Sequence, residues 1–337
     1  MNINDPLYNR FHLVREMYET IDYIKNFSAE SAGNFLPDLQ GKALMLTGEG
    51  SSRIFPGKNA VHRRLKSNGG ALILTESSTD LSDKNLEDFI VIGASNSGKT
   101  KELINLFRNL ENSGHKYLYG LTCNRNSLLE KYCVRTRVID AGPEKAVAAS
   151  KSVVAQALFY DAIISGWDEK ADFNTPLLAR NFEEALNSPV SNSITDLICR
   201  ADTVYFSGYN NGAAEELTLK TNEIIRKKSS YLPGTYLLHG VEEVMSPKDI
   251  IIMVDTYPEE FDKIKSVYSD NIGTPVISIS SSSTPFHTVK TPHVSETYKS
   301  YIKLAAGWNM LIEAGIKLGI DPDKPERARK IGNEAAD

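Results

Sequence analysis

Cysteine is scarce. The chain has three in 337 residues, Cys123, Cys133 and Cys199, an odd number without metal-ligand spacing, so neither a disulfide framework nor a thiolate metal cluster is expected and the three read as buried free thiols. No apolar run approaches the roughly 20 residues of a membrane span, and residues 1–6 have neither a basic start nor an apolar h-region, so membrane and export are not expected and the protein reads as cytoplasmic. No Lys/Arg run exceeds a few residues, the densest being Arg63-Arg64 and Arg226-Lys227-Lys228, and the net charge of −5 is weak, which argues against nucleic acid as a partner. What is present, 41% apolar and 24% charged residues, describes a globular chain long enough for two domains.

The most informative stretch lies at 88–107. Residues 89–92 form an apolar run, and Leu103, Leu106, Phe107 and Leu110 recur at helical spacing, so a buried parallel strand, a small-residue loop and a helix follow without a gap. The loop, Ser95-Asn96-Ser97-Gly98-Lys99-Thr100, sets three hydroxyls around the backbone N–H groups of a helix start. The natural guest of such a loop is an oxyanion, most often phosphate, and the bland alternative is a plain N-cap. Residues 93–100 also fit the nucleotide-binding pattern G-x-x-x-x-G-K-[ST], and a second apolar run ends in Asp255, the kind of carboxylate that holds Mg²⁺ in a P-loop enzyme. Against that reading, two strand candidates precede the motif, its variable positions lack glycine, and other motifs stay unexplained.

Around this stretch strand and helix patterns alternate. An amphipathic helix is predicted over 7–27, and strands at 43–46, 71–74, 117–121 and 134–139 join the central one. A long helix follows Gly142-Pro143. A second alternation begins at 202–208 and continues through a helix near 212–226, a strand at 249–254, a helix near 259–269, a strand at 275–279 and a helix over 298–318. Such alternation indicates α/β domains built on parallel sheets with helices on both faces, with binding groups at the C-terminal strand ends.

Three motifs stand in order: Gly50-Ser51-Ser52, then Ser95 through Thr100, then Gly142-Pro143-Glu144-Lys145-Ala146-Val147-Ala148-Ala149-Ser150-Lys151. Together they resemble the sugar isomerase (SIS) family in its tandem form, as in the isomerase half of glucosamine-6-phosphate synthase, the hexosamine-6-phosphate deaminases and the fructosamine-6-phosphate deglycases. The resemblance implies two flavodoxin-like parallel-sheet sandwich domains (double SIS) at 36–167 and 196–318. It also implies an N-terminal helix within 1–35, a connection over 168–195 and a tail, 319–337, over the active site. Phosphate would be held by Ser52, Ser95, Ser97 and Thr100, with Gly50, Ser51 and Asn96 alongside, while Val147, Ala148 and Ser150 would line the sugar. Leu219-Lys220-Thr221-Asn222-Glu223 matches the family's L-K-x-x-E, and Leu238-His239-Gly240 its H-G motif. Spacing alone favours a surface ion pair for Lys220 and Glu223, and the alternative for His239 is a structural histidine.

In this resemblance Glu223 moves a proton between C1 and C2 of an open-chain phosphosugar, Lys220 stabilises the developing oxyanion and His239 opens the ring. His239 would come from the neighbouring subunit of a homodimer. Lys330 matches the spacing of a C-terminal lysine that covers the sugar, although Arg327, Ala328, Arg329 and residues 331–333 depart from the family's usual ending. No metal or other cofactor is implied. With no glutaminase domain ahead of Met1 and no N-terminal cysteine nucleophile, glutamine-dependent synthesis is not expected. The activities left are hexosamine-6-phosphate deamination, aldose–ketose isomerisation and fructosamine-6-phosphate cleavage, and, outside catalysis, a sugar-phosphate-binding regulator.

Overall fold

The structure is a computed structural model describing residues 1–37, 39, 41–68, 70–167, 173–329 and 333–335. The chain divides into two compact units. One, the first-sheet unit, comprises Tyr23–Glu144, Ala149–Thr175 and Arg329–Asp337; the other, the second-sheet unit, comprises Met1–Asp22, Lys145–Ala148 and Pro176–Ala328.

The first-sheet unit holds β1 (Ala43–Gly48), β2 (Ile73–Ser77), β3 (Phe89–Ser95), β4 (Leu118–Thr122) and β5 (Arg135–Val138), all parallel, in the order β2-β1-β3-β4-β5. The central strands β1, β3 and β4 are buried almost throughout, which is why they read as continuous apolar runs. Helix Lys151–Ser165, apolar on every side, is buried along nearly its whole length and packs against helix Ile54–Lys66. Its one buried acid, Asp161, is answered by Arg63 at 2.7 Å and by Asn59 Nδ2 at 3.1 Å, so the charge is paired rather than stranded.

The second-sheet unit holds β6 (Thr203–Gly208), β7 (Lys228–Pro233), β8 (Ile250–Met253), β9 (Val276–Ser280) and β10 (His287–Lys290), again all parallel, in the order β10-β9-β8-β6-β7. Counted from β6, this is the 2-1-3-4-5 order of the first sheet, the doubly wound flavodoxin-like arrangement with a switch point between its first and third strands. Helix Ala213–Ile224 follows β6, and helix Lys299–Lys317 carries Trp308, Tyr301 and Leu311 into the core.

Several details differ from the sequence reading. The leading helix is two, Pro6–Asn9, capped at its start by Asp5 through Leu7 N, and His12–Asn26, with the break at Arg10 and Phe11. The stretch 168–195, expected to be a polar and then weakly helical connection, holds the helix Thr175–Asn187 and the start of the helix Asn192–Arg200. The helix near 259–269 is a single turn, Phe261–Ile264, running into a π-helical Lys265–Ile272. The cysteines are half-buried free thiols, and burial pushes the Cys133 thiol up to about 12, which keeps it protonated and unreactive.

The nucleotide-binding alternative does not survive. Gly93, its first glycine, is not in a loop: it pairs with Thr47 and Gly120 inside the sheet. A Cβ there would stand 2.5 Å from Phe107 Cζ and 2.6 Å from Leu103 Cδ1, so this glycine admits the helix to the strand and leaves only residues 96–100 for a phosphate loop. Asp255, moreover, follows a strand of the other sheet. Gly93→Ala is expected to lower stability by about 1–3 kcal/mol through overpacking, measured by urea unfolding.

Candidate functional site

In the first-sheet unit the loops after β1 and β3 leave adjacent strands at the switch point. After β1 comes the 3-10 turn Gly50–Ser52, with Gly50 exposed and Ser51 and Ser52 half-buried. After β3, Ser95 is buried and its Oγ lies 2.7 Å from Thr100 Oγ1. Gly98 N donates to Ser95 Oγ at 3.0 Å and Lys99 N donates to Ser97 Oγ at 3.2 Å. A helix start after a strand is expected to leave such N–H groups free for a ligand; the structure gives these two to the loop's own hydroxyls. A hydroxyl that accepts from the backbone still has its proton to give, so the loop presents O–H donors to an anion. The tight path requires Gly98, whose φ is +67° and where a Cβ would lie 2.4 Å from that of Ser127.

Two features of this loop carried no sequence signal. Asn96 Nδ2 donates to Glu144 Oε2 at 3.1 Å, and Glu144 also accepts from Ser150 N at 2.8 Å and from the Ser152 hydroxyl at 2.8 Å. One carboxylate thus fastens the loop to the start of helix Lys151–Ser165. The Ser150 hydroxyl is buried there without a partner among the described residues. The second feature is the chain's last described segment: Lys101 N donates to Asn333 O at 3.1 Å, Ala335 N to Lys99 O at 2.9 Å, and the Asn333 amide to Glu102. Lys330, the expected cover of the sugar, lies outside the described residues.

In the second-sheet unit Val147 is half-buried and Ala148 buried. The segment before them is held by Glu16 on helix His12–Asn26, which accepts from Lys145 N and, at 3.3 Å, from Ala146 N. Lys220 and Glu223 lie on helix Ala213–Ile224, which returns along β6 until Asn222 Oδ1 accepts from Ser229 Oγ at the start of β7. Lys220 is wholly enclosed, with Nζ 2.7 Å from Glu223 Oε2 and 3.2 Å from Glu216 Oε1. Burial works against the ammonium, yet the carboxylates of Glu223 and Glu216 outweigh it and hold the Lys220 pKa above its ordinary value. Glu216, one turn before Lys220, was missed because an i, i+4 acid looks like any solvated helix pair. Glu223 alone of the three keeps access to solvent, at 23% of its side chain.

His239 is exposed, just past the turn Tyr236–Leu238 and therefore beyond the end of β7, whereas Glu223 lies at that strand's beginning. The 6 residues of β7 span roughly 20 Å at about 3.3 Å each, so one chain holds these groups at opposite edges of its second sheet. Tyr236 and Val244, three residues before and five after His239, are exposed as well. Among the described residues no group of three or more His, Cys, Asp or Glu could hold a metal ion, and no helix is long and apolar enough to cross a membrane.

Residues 61–166, spanning the hydroxyl loop and the 142–151 segment, match the family model of the SIS domain. The chain carries a SIS domain. With its two five-stranded parallel sheets, it has the double SIS α/β fold. No curated protein matches the sequence. Among solved structures it is similar to tagatose-6-phosphate ketose/aldose isomerase from Escherichia coli, at 17% identity over 97% of this chain and 99% of that one, TM-score 0.75. It is similar also to glucosamine-6-phosphate deaminase from Thermotoga maritima, at 18% identity over 94% and 98%, TM-score 0.70. A third is the C-terminal domain of glucosamine-fructose-6-phosphate aminotransferase from Francisella tularensis, at 15% identity over 94% and 98%, TM-score 0.72. At these identities the likeness is one of fold.

Within the SIS domain Thr100→Val removes the hydroxyl that pairs with Ser95 while keeping the side-chain shape. Losing one hydrogen bond to a charged phosphate costs about 1.5–3 kcal/mol, so if Thr100 donates to a phosphate, as the family resemblance implies, the KM for a phosphosugar should rise roughly ten- to a hundredfold with kcat little changed.

Proposed function

We propose that the protein is a phosphosugar isomerase or amino-sugar-phosphate deaminase that opens the ring of a hexose or hexosamine 6-phosphate and transfers a proton between C1 and C2. The carrying observation is the Glu216–Lys220–Glu223 set, in which an enclosed ammonium grips one oxygen of a carboxylate that still reaches solvent. An enediol intermediate requires one carboxylate that first accepts and then returns a proton, and Glu223 suits it. Lys220, being enclosed, acts by orienting Glu223 rather than by touching the substrate. The hydroxyls of Ser52, Ser95, Ser97 and Thr100 hold the phosphate.

His239 opens the ring in a second copy's site, a reading supported by its place past the far end of β7 from Glu223 and by the exposed Tyr236 and Val244 near it in sequence. Mixing Glu223→Gln chains with His239→Ala chains should then restore about a quarter of wild-type activity, because hybrid dimers carry one intact site. Each inactive variant staying inactive after mixing would put both residues in one chain's site or remove His239 from the chemistry.

The deciding experiment is a panel of hexose and hexosamine 6-phosphates screened for thermal stabilisation, with product analysis of the best binder. Ammonia release identifies a deaminase, and aldose–ketose interconversion without ammonia an isomerase. Turnover of a glycated amino acid phosphate alone would move the assignment to a deglycase. Binding with no turnover of any of them would leave a regulator.

A further inference from the structure

Because the second sheet repeats the strand order of the first, it has a switch point of its own, between β6 and β8. In the first sheet this position is a set of hydroxyls. In the second it is filled by Asp255, just past the end of β8 and 3% exposed. Its Oδ2 accepts from Tyr209 N at 3.0 Å and from Asn211 Nδ2 at 3.2 Å, both in the loop after β6, and its Oδ1 faces Lys303 Nζ at 2.5 Å. Asn211 is fixed in turn, its Oδ1 accepting from Ala213 N at 3.0 Å. Tyr209 and Tyr257 meet edge to face at 5.2 Å beside this corner, and the Tyr257 hydroxyl is buried without a partner among the described residues. Burial first, and the Asp255 charge second, push the Tyr257 phenol up, so it remains a neutral donor.

A backbone N–H, a side-chain amide and an ammonium converging on two oxygens form the donor set that receives a phosphate or sulfate. We propose that the second switch point is an anion cradle filled by the chain's own carboxylate, Asp255, so that phosphate monoesters bind only at the first-sheet loop. Lys303, only 14% exposed, needs a counter-charge wherever it stays, and a resident carboxylate supplies one that no ligand concentration can alter. The same loop leads directly into the helix of Lys220 and Glu223, so filling it internally keeps that helix start independent of free phosphate.

The count of one site rests on the reading of the Ser95 to Thr100 loop given above, whereas the cradle itself is tested by its dependence on Lys303. Inorganic phosphate is titrated against the full chain by calorimetry in a Ser95→Ala, Thr100→Val background. That background is expected to bind no phosphate; adding Asp255→Ala should create one site per chain, and adding Lys303→Met should abolish it again. A folded Asp255→Ala protein that gains no phosphate would overturn the proposal, as would Lys303-dependent binding before Asp255 is changed. Phosphate bound in the background but indifferent to Lys303→Met would count against the first-sheet reading and leave the cradle standing. Should Asp255→Ala not fold, Asp255→Asn keeps the shape without the charge. Phosphate must then raise its melting temperature more than the wild type's, through Lys303, and equal shifts would refute the idea.

Discussion

Glu223→Gln is expected to abolish turnover while leaving phosphosugar binding in place. The amide keeps the shape and can still lie beside Lys220, but it cannot accept the proton that must leave C2 and return at C1. General acid–base catalysis of this kind contributes about 10²- to 10⁴-fold, so kcat should fall by at least that much. The ligand-induced rise in melting temperature should stay near that of the wild type, because the proposed phosphate contacts, the hydroxyls of Ser95, Ser97 and Thr100, are untouched by the substitution. A variant that turned over normally would remove Glu223 from the chemistry. A variant that lost binding as well would recast it as a residue that shapes the site.

Lys220→Met carries the largest expected loss of stability. It leaves Glu216, which is fully buried, without its cation, and breaking a buried pair from one side costs about 3–5 kcal/mol. Urea unfolding should show the lowered midpoint, and adding Glu216→Gln should recover much of it, since the double variant strands no charge. The pH dependence has a definite sign. The Lys220 pKa is raised in the folded protein from its ordinary 10.5, so its stabilisation is complete below that value and is lost only as pH rises through the raised one. Across the neutral range this pairing should therefore contribute no slope. Wild-type stability that persisted in Lys220→Met would mean that Glu216 finds other compensation.

The parts of the fold legible in the sequence were those buried on both faces. The strands β1, β3, β8 and β9 are central, and their uninterrupted apolar runs announced them. The edge strands β7 and β10 were invisible because Lys228, Ser229, Ser230 and Tyr231, or His287, Thr288 and Lys290, are half or wholly exposed and read as loop. At β2, also an edge, the apolar run suggested 71–74, yet Leu72 and Leu74 point to solvent and the ladder instead begins at Ile73, opposite Leu44. The hydroxyl loop was legible because a helix start after a strand constrains local chemistry. Glu16, Glu144 and Glu216 were not: Glu16 meets N–H groups far away in sequence, and nothing in the sequence shows that the nearby partners of Glu144 and Glu216 turn toward them in a buried setting. Asp255 shows the converse: its residue type suggested a magnesium ligand, while its partners Tyr209, Asn211 and Lys303 make it an internal counter-charge.

The short backbone pairing of Asn333 and Ala335 with Lys99 and Lys101 joins pieces of chain far apart in sequence, and Ala335 adds its methyl group to the core beneath. Loop and tail therefore form one cooperative element. The loop cannot unzip without releasing residues 333–335, so its opening and theirs are one event.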